Sequence, residues 1–406
     1  MKSVLKEALK DIKPTPAEEK AAAKRIGEVV ARVQKLVPEA KVVLGGSGEK
    51  GTWLKQSHDA DIFVQFPKGR EAISDLLERK ISRAFKLQRL HGSRDYFQTR
   101  LGDFVFEIIP IISIKKAEEA ENITDVSPLH AKWVKKYAKL ADDIRLAKQF
   151  FKAAGAYGAE SHISGFSGYI CEVLTICYGG FAGLAKGLAS WKPKTIIDVA
   201  GAHKGKNVLF ELDRSKTVGP LIVIDPVQPS RNAAAAVSEE KYLRIIDHAK
   251  RFLKRPSKDF FTIRRLDKTE LKKRAGKDEL FFLEAVPLPG KPDVVGCKLL
   301  KVHEFLLQKL RAHGFAIRES GWEWGEKARY YYILKGGNIP PEIVVRGPPA
   351  RMKKHAERFR KAHRETFEKN GTWYAKEKRE FTDARTLMAA LIKDPRVSER
   401  VRKIIL

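Results

Sequence analysis

A glycine-serine turn between two strand-like runs constrains this chain more than any other feature of its sequence. The apolar run Val42-Val43-Leu44 stops at Gly45-Gly46-Ser47-Gly48, and Asp59 and Asp61 open a second apolar run. Side chains on a strand alternate between faces, so both aspartates point to one face, about 6–7 Å apart. Such a pair suits two divalent cations held about 3.5–4 Å apart, and Mg²⁺ prefers carboxylate oxygens. The alternative to a metal site is that Asp59 and Asp61 lie at a strand end exposed to solvent.

The turn itself has the composition of a phosphate-binding loop. Glycines let backbone N–H groups approach a phosphate, and a following helix N-terminus favours an anion. The hydroxyl of Ser47 and the ammonium of Lys50 could then bind a triphosphate. Gly46 and Gly51 have the spacing of a P-loop, but Thr52 stands where that motif requires lysine, so a P-loop is excluded. An ordinary turn is the alternative interpretation.

A third acid lies in a strongly apolar segment further along the chain. Glu107 interrupts residues 104–110, which otherwise indicate a buried strand. An unpaired carboxylate is costly to bury there, and a metal ion removes that cost. We therefore expect Glu107 on a strand next to Asp59 and Asp61. Pairing of Glu107 with a buried cation is one alternative, and Asp103 is another candidate acid.

The remaining patterns indicate an α+β protein of several domains. Helix and strand signals alternate over residues 1–115, and helical spacing dominates from about 131 to 188. After a composition break at residues 254–257, the order strand-helix-strand-strand between 280 and 334 is similar to that of RNA-recognition-type folds. Residues 351–406 predict charged helices, with 17 Lys or Arg against eight Asp or Glu. We expect four domains: residues 1–130, 131–256, 257–350 and 351–406.

Charge favours a polyanionic partner. The 406 residues include 79 Lys or Arg and 50 Asp or Glu, a formal net charge of +29, and basic side chains that meet phosphates release counterions. A solvated basic surface is the alternative. Three cysteines without a C-x-x-C pair exclude a disulfide framework and a zinc knuckle, and favour the reducing cytoplasm. No secretory signal or bilayer-spanning stretch is visible, so we expect no membrane association.

Several motifs together resemble one enzyme superfamily. The Gly-Gly-Ser turn, the run Gly51-Thr52-Trp53-Leu54 and Asp59-x-Asp61 resemble the polymerase-β-type nucleotidyltransferases. Further motifs narrow the resemblance to the class I, archaeal CCA-adding tRNA nucleotidyltransferases. These motifs are Ser127-Pro128-Leu129-His130, Arg145-Leu146-Ala147-Lys148, Gly155-Ala156-Tyr157-Gly158, Gly165-Phe166-Ser167-Gly168-Tyr169, Cys171-Glu172-Val173-Leu174, Asp225-Pro226-Val227 and Arg231-Asn232. The similarity is strong from about residue 40 to 255 and thinner to about 380.

The resemblance implies a fold and an activity. The fold would be a polymerase-β-like nucleotidyltransferase head, a helical central domain, an RNA-recognition-like α/β body and a basic helical tail contacting the tRNA acceptor arm. The reaction would be template-independent addition of CCA to the 3′ end of tRNA from CTP and ATP, with release of pyrophosphate by two-metal in-line transfer. The resemblance also implies a homodimer.

Matching motifs also imply individual residue roles. Asp59, Asp61 and Glu107 would be catalytic and would hold two Mg²⁺. The nucleotide would be bound by Ser47, Lys50, His130, Lys148, Tyr157 and Arg231, the last of these lying against the incoming base. The family usually has Arg at the position of Lys50 and Asp at the position of Glu107. Lys50 therefore offers a point charge where arginine would bind phosphate in a bidentate manner. Glu107 is one methylene longer than the aspartate that usually binds the metal.

Structural alternatives accompany these roles. For the nucleotide contacts they are an exposed helix face for Lys148 and Arg145, core packing for Tyr157, helix capping for His130, and pairing of Arg231 with Asp225. Trp322 and Trp324 share a strand face and could stack on RNA or pack in a core. Two other functions stay open. A poly(A)- or oligoadenylate-forming relative would not use CTP, and a catalytically inactive RNA-binding protein would incorporate no nucleotide.

Overall fold

A computed structural model describes residues 1–55 and 57–406 of the chain. These residues form two compact units, Met1–Arg264 and Arg265–Leu406. The division falls slightly after the predicted break at residues 254–257, because the short 3₁₀ turn Lys258–Phe261 still packs in the first unit. Phe261 is buried there, and its carbonyl accepts a 2.6 Å hydrogen bond from Gln149 Nε2. The finer division into four domains stays a prediction.

The first unit contains both helices and strands. Its helices are α1 (Lys2–Ile12), α2 (Pro16–Leu36), α3 (Gly46–Lys50), α4 (Ile73–Ile81), α5 (Ser127–Lys135), α6 (Ala141–Ala153), α7 (Gly168–Cys177), α8 (Phe181–Ser190), α9 (Val208–Glu211) and α10 (Glu239–Lys254). Its strands are β1 (Lys41–Leu44), β2 (Asp59–Phe66), β3 (Gln88–Leu90), β4 (Tyr96–Leu101), β5 (Phe104–Ile112), β6 (Thr195–Ile197) and β7 (Leu221–Val223).

Strands β1 to β5 form a five-stranded sheet, here called the head sheet, in the order β1-β2-β5-β4-β3. β2 and β5 are parallel, and the other neighbours are antiparallel. Ala60, Ile62 and Val64 of β2 are buried in one core with apolar side chains of α2 and α4. Asp59 and Asp61 alternate with these residues, so they lie on the opposite face of the head sheet.

A second core lies among the helices of the first unit. It joins α1, α6, α7, α8 and α10, and aromatic rings fill its centre. The rings of Phe150 and Phe252 meet nearly edge to face, with centroids 5.5 Å apart. α7 begins at a serine cap, in which Ser167 Oγ accepts from Ile170 N. Most of α7 is buried, and this position carries the polar Glu172 into the interior.

The second unit begins with a helix and ends with a strand. Its helices are α11 (Lys268–Ala275), α12 (Pro292–Ala312), α13 (Lys353–Ala362), α14 (Ala384–Leu391) and α15 (Pro395–Ser398). Its strands are β8 (Glu279–Pro287), β9 (Ile317–Trp324), β10 (Ala328–Leu334), β11 (Glu342–Pro349), β12 (Glu365–Lys369), β13 (Thr372–Lys378) and β14 (Val401–Ile405).

The predicted β-α-β-β order is confirmed as β8-α12-β9-β10, and α14 and β14 complete it. The four strands form an antiparallel sheet in the order β14-β8-β10-β9, which is the β-α-β-β-α-β arrangement. α12 and α14 share a core with one face of this sheet. Trp322 and Trp324 pack against that core, which supports core packing over RNA stacking.

The prediction of charged helices over residues 351–406 missed three strands that lie among α13, α14 and α15. β12 and β13 join β11 in a three-stranded sheet, and β14 is an edge strand of the four-stranded sheet. The many charged residues obscured these strands, because a strand that is solvated on one side carries charge at alternate positions. Residues on both sides of position 350 therefore share one sheet.

Membrane-spanning character is weak in the part of the chain that the structure describes. No single helix there is both long and apolar enough to cross a bilayer. α7 and α8 have the length and apolar composition of a membrane span only when taken together, and the two helices are bent by 95° relative to each other.

Candidate active site

Three carboxylates share one face of the head sheet. β2 and β5 pair in parallel with Asp61 directly opposite Glu107, and Asp59 lies two residues earlier on β2. Register and alternation therefore place Asp59, Asp61 and Glu107 on one face, as the spacing predicted. Asp59 is exposed, whereas Asp61 and Glu107 are half-buried. Asp103 is exposed in the turn before β5, where it pairs with Arg25.

The electrostatics of these carboxylates favour a cation. Burial and the charge of Asp59 raise the pKa of Asp61 to about 6. Burial and the charge of Asp61 raise the pKa of Glu107 to about 7. Glu107 Oε1 accepts a 3.3 Å hydrogen bond from Gln98 Nε2. Across residues 1–55 and 57–406 none of the three carboxylates forms an ion pair with lysine or arginine, so the alternative of a buried cation partner for Glu107 was wrong.

A divalent cation fits this donor set. It would relieve the repulsion among these hard oxygen ligands. In the described part of the chain, however, no group of three His, Cys, Asp or Glu side chains is arranged to hold a metal ion. The carboxylates thus share a face without converging on one point.

The glycine-serine turn packs directly against Asp61. Gly45 N donates a 2.7 Å hydrogen bond to the Asp61 carbonyl. Gly46 has a φ of +55°, and a Cβ on it would lie 1.6 Å from Asp61 Oδ2. Only glycine allows this approach, because a side chain would occupy the space of the carboxylate. Ser47 follows in the first turn of α3, where it is half-buried.

Two of the predicted triphosphate ligands meet on one buried acid. Glu172 of α7 is fully buried, and its Oε2 accepts from Lys50 Nζ at 2.7 Å. Glu172 Oε1 accepts from Lys148 Nζ at 2.7 Å and from Thr52 Oγ1 at 2.9 Å. Lys148 Nζ also donates to the hydroxyl and carbonyl of Thr52, at 2.9 and 3.3 Å. We call Lys50, Thr52, Lys148 and Glu172 the Glu172 cluster.

The burial of the Glu172 cluster excludes one interpretation of Lys148, the exposed helix face. Lys148 and Arg145 are both buried, so the exposed helix face that was the alternative for them is wrong. Burial would raise the pKa of Glu172, but the charges of Lys148 and Lys50 outweigh it and lower that pKa. Glu172 is therefore a carboxylate held between two lysines, whereas burial lowers the pKa of Lys148.

Two further predicted nucleotide contacts, His130 and Arg231, meet on a second buried acid. Asp225 Oδ2 lies 2.9 Å from His130 Nε2 and accepts from Arg231 Nη1 at 2.8 Å. Asp225 Oδ1 accepts from the Tyr169 hydroxyl at 3.0 Å. Burial opposes ionisation of Asp225, but the hydrogen bond and charge of His130 lower its pKa to about 2. We call Asp225, His130, Tyr169 and Arg231 the Asp225 cluster.

The contacts of the Asp225 cluster test the structural alternatives for Arg231 and His130. Arg231 does pair with Asp225, although about a third of its side chain stays exposed. His130 lies inside α5, not before it, and its ring packs on Tyr169 with centroids 4.2 Å apart. Helix capping by His130 was therefore the wrong alternative.

Tyr157 lies at the border of the helical core. Its side chain packs against that core, and a Cβ on Gly168 would lie 2.8 Å from its hydroxyl oxygen. Lys152 Nζ lies 5.0 Å from the centroid of the Tyr157 ring. Burial raises the pKa of Tyr157, and the charge of Asp59 adds a smaller contribution. Tyr157 therefore packs on the core, which was the alternative to its predicted nucleotide contact.

Sequence reasoning gave no function to Glu172 and Tyr169, which organise both clusters. They are three residues apart on α7, so one helix face presents both. Lys50 Nζ, held by Glu172, also lies 5.9 Å from the centroid of the Tyr169 ring. A signal for Glu172 was present, since it is an acid in an apolar run, as Glu107 is.

A mixed sheet with three carboxylates on one face, beside a glycine-serine turn and clustered lysines, defines a nucleotidyltransferase. Residues 26–130 match the model of the nucleotidyltransferase domain. Residues 142–262 match the second domain of tRNA nucleotidyltransferase, and residues 289–405 match the C-terminal domain of CCA-adding enzyme. The chain belongs to the CCA-adding enzyme family, which is a family of template-independent tRNA nucleotidyltransferases. Nucleotidyltransferases of this family generally use divalent metals.

Similar proteins agree with this assignment. The CCA-adding enzyme of Pyrobaculum aerophilum is 33% identical over 373 residues, which cover 86% of this chain and 82% of that protein. The CCA-adding enzyme of Nanoarchaeum equitans is 41% identical over 245 residues, 59% of this chain and 62% of that protein. Among solved structures, the chain is similar to Cid1, which is described as having RNA terminal uridylyl transferase activity. The match covers 66% of this chain and 100% of the Cid1 chain. Its TM-score of 0.53 at 16% identity shows a shared fold.

Proposed function

We propose that this chain adds CCA to the 3′ end of tRNA from CTP and ATP, releasing pyrophosphate. The observation that carries the proposal is the face of the head sheet on which Asp61 and Glu107 are register partners beside Gly46. In this reaction the tRNA 3′-hydroxyl attacks the α-phosphate of the nucleotide in line with the leaving pyrophosphate.

The carboxylates would hold the metal ions. Asp59, Asp61 and Glu107 would bind two Mg²⁺, which when bound supply charge that lowers the pKa of the attacking hydroxyl and neutralises the triphosphate. Asp61 is the register partner of Glu107 and lies two residues from Asp59, so all three carboxylates would contribute to holding the ions. The extra methylene of Glu107 lets its carboxylate reach further from β5.

The nucleotide would lie between the head sheet and the Glu172 cluster. Ser47 would donate its hydroxyl proton to a phosphate oxygen, and Lys50 would offer its ammonium. Lys148 would add positive charge from behind Lys50. Tyr157 would line the same space, and His130 and Arg231 of the Asp225 cluster would face the base. One such site serves both C and A addition, so the growing RNA end would complete the pocket beside Arg231.

The second unit would hold the tRNA acceptor arm. α13 carries exposed Lys353, Lys354 and Arg358, which offer positive charge to phosphates. Recognition would depend on RNA shape and phosphate charge and not on base sequence. The family resemblance further supports a homodimer, and the free cysteines support a reducing cytoplasm.

Incubation of a tRNA lacking CCA with labelled CTP and ATP tests this function. We expect Mg²⁺-dependent addition of two C residues and one A. Asp61→Asn is expected to abolish incorporation while tRNA binding survives, and Asp103→Asn is the matched control that keeps both. Incorporation of ATP alone would instead indicate a polyadenylating relative, and binding without incorporation would indicate an inactive RNA-binding protein.

A further inference from the structure

Glu172 is the buried charge at the centre of the site that no step of the reaction uses. Its side chain is 0% exposed, so it touches neither solvent nor a nucleotide. An acid in such a place is costly unless every oxygen is satisfied. Here its two oxygens accept from two different lysines, one from α3 and one from α6.

The hydrogen-bond donors of the two lysines are used very differently. An ammonium group has three N–H donors. Lys148 donates to Glu172, to Thr52 Oγ1 and to the Thr52 carbonyl, and its side chain is 4% exposed. Lys50 donates only to Glu172 within the described residues, and its side chain is 11% exposed. Lys50 is therefore held by one side-chain hydrogen bond and keeps N–H donors that the described residues do not use.

We propose that Glu172 is a positioning residue that fixes the ammonium of Lys50 for the triphosphate, with Lys148 as the buried counter-charge that keeps Glu172 in place. The proposal rests on the proposed function. The carboxylate has an oxygen for each ammonium, and its charge offsets their mutual repulsion. Without it, two cations would share a desolvated site, and the more exposed Lys50 would turn away from the phosphate.

Glutamine at position 172 tests this arrangement with almost no change in volume. Its amide keeps one acceptor oxygen and replaces the other by an N–H donor, so it cannot accept from both lysines. The readouts are the KM for CTP and the inhibition constant of CMP, measured on a tRNA lacking CCA. For Glu172→Gln we expect the KM for CTP to rise about tenfold or more, as expected when a charge-assisted phosphate contact is lost. The inhibition constant of CMP, which lacks the β- and γ-phosphates, should change less than about twofold.

Asp125→Asn is the matched control. Asp125 is another fully buried carboxylate of the first unit, but it pairs with Arg94 and not with the lysines. Its loss should lower stability and leave the ratio of the two constants unchanged. If both variants change that ratio equally, Glu172 has only a structural function and the proposal is overturned.

Glu172→Asp covers the case in which the glutamine variant does not fold. It keeps the buried charge, but its shorter side chain cannot reach both ammonium groups. We expect a smaller rise in the KM for CTP, again without a matching change for CMP. An unchanged ratio in this variant overturns the proposal, whereas a wild-type chain that incorporates no CTP overturns the proposed function instead.

Discussion

Replacing Gly46 by alanine should disable the site while leaving the fold intact. The residue has a φ of +55°, so any L side chain there is strained by about 1–2 kcal/mol. The added Cβ would also lie 1.6 Å from Asp61 Oδ2. An ordinary C···O contact is about 3.3 Å, so the carboxylate would have to move by about 1.7 Å. A displacement of this size at a reacting centre costs about a hundredfold in rate or more.

Gly51→Ala is a control that separates strain from displacement. Gly51 has a φ of +64°, but a Cβ on it would meet nothing within 4 Å. Both variants should therefore lose about 1–2 kcal/mol of unfolding free energy, measured by urea denaturation. Only Gly46→Ala should lose single-turnover incorporation of CMP into a tRNA lacking CCA. Equal rates for the two variants would show that the contact between Gly46 and Asp61 does not position the catalytic carboxylate.

Four further predictions concern the charged residues of the protein. At limiting Mg²⁺, incorporation should fall as pH falls through about 7 and then about 6, because Glu107 and Asp61 take up protons there. Metal-free protein should instead lose stability as pH rises through that range, since these carboxyls bind protons more tightly when folded; denaturation that shows the opposite slope refutes the assignment. Affinity for tRNA should fall with salt, with a log–log slope of about −0.7 to −0.9 per phosphate neutralised. Substituting glutamine for Lys353, Lys354 and Arg358 should flatten that slope, whereas truncation at residue 351 would remove β14 and unfold the sheet. Arg231→Ala should slow CTP and ATP addition together, and selective loss of one activity would indicate a second nucleotide site.

The sequence alone predicted the acids of the head sheet because their signals are local. Period-two alternation puts Asp59 and Asp61 on one face in any strand, and a carboxylate inside an apolar run is conspicuous wherever that run ends up. The β-α-β-β order of the second unit was equally local. Its last strand was missed, because β14 becomes recognisable only when it pairs with β8 from the other end of the unit.

Tertiary structure alone decided how charged residues that are far apart in the sequence are paired. For Lys148 the sequence left an exposed helix face open as the alternative, since lysines are rarely buried without a partner, and its partner Glu172 lies on a different helix. Lys50 and Glu172 are 122 positions apart, and only the packing of α3, α6 and α7 brings them within 2.7 Å. The same holds for His130 and Asp225, 95 positions apart. Local periodicity specifies which face a side chain occupies, but the counter-ion across that face depends on the packing of whole elements.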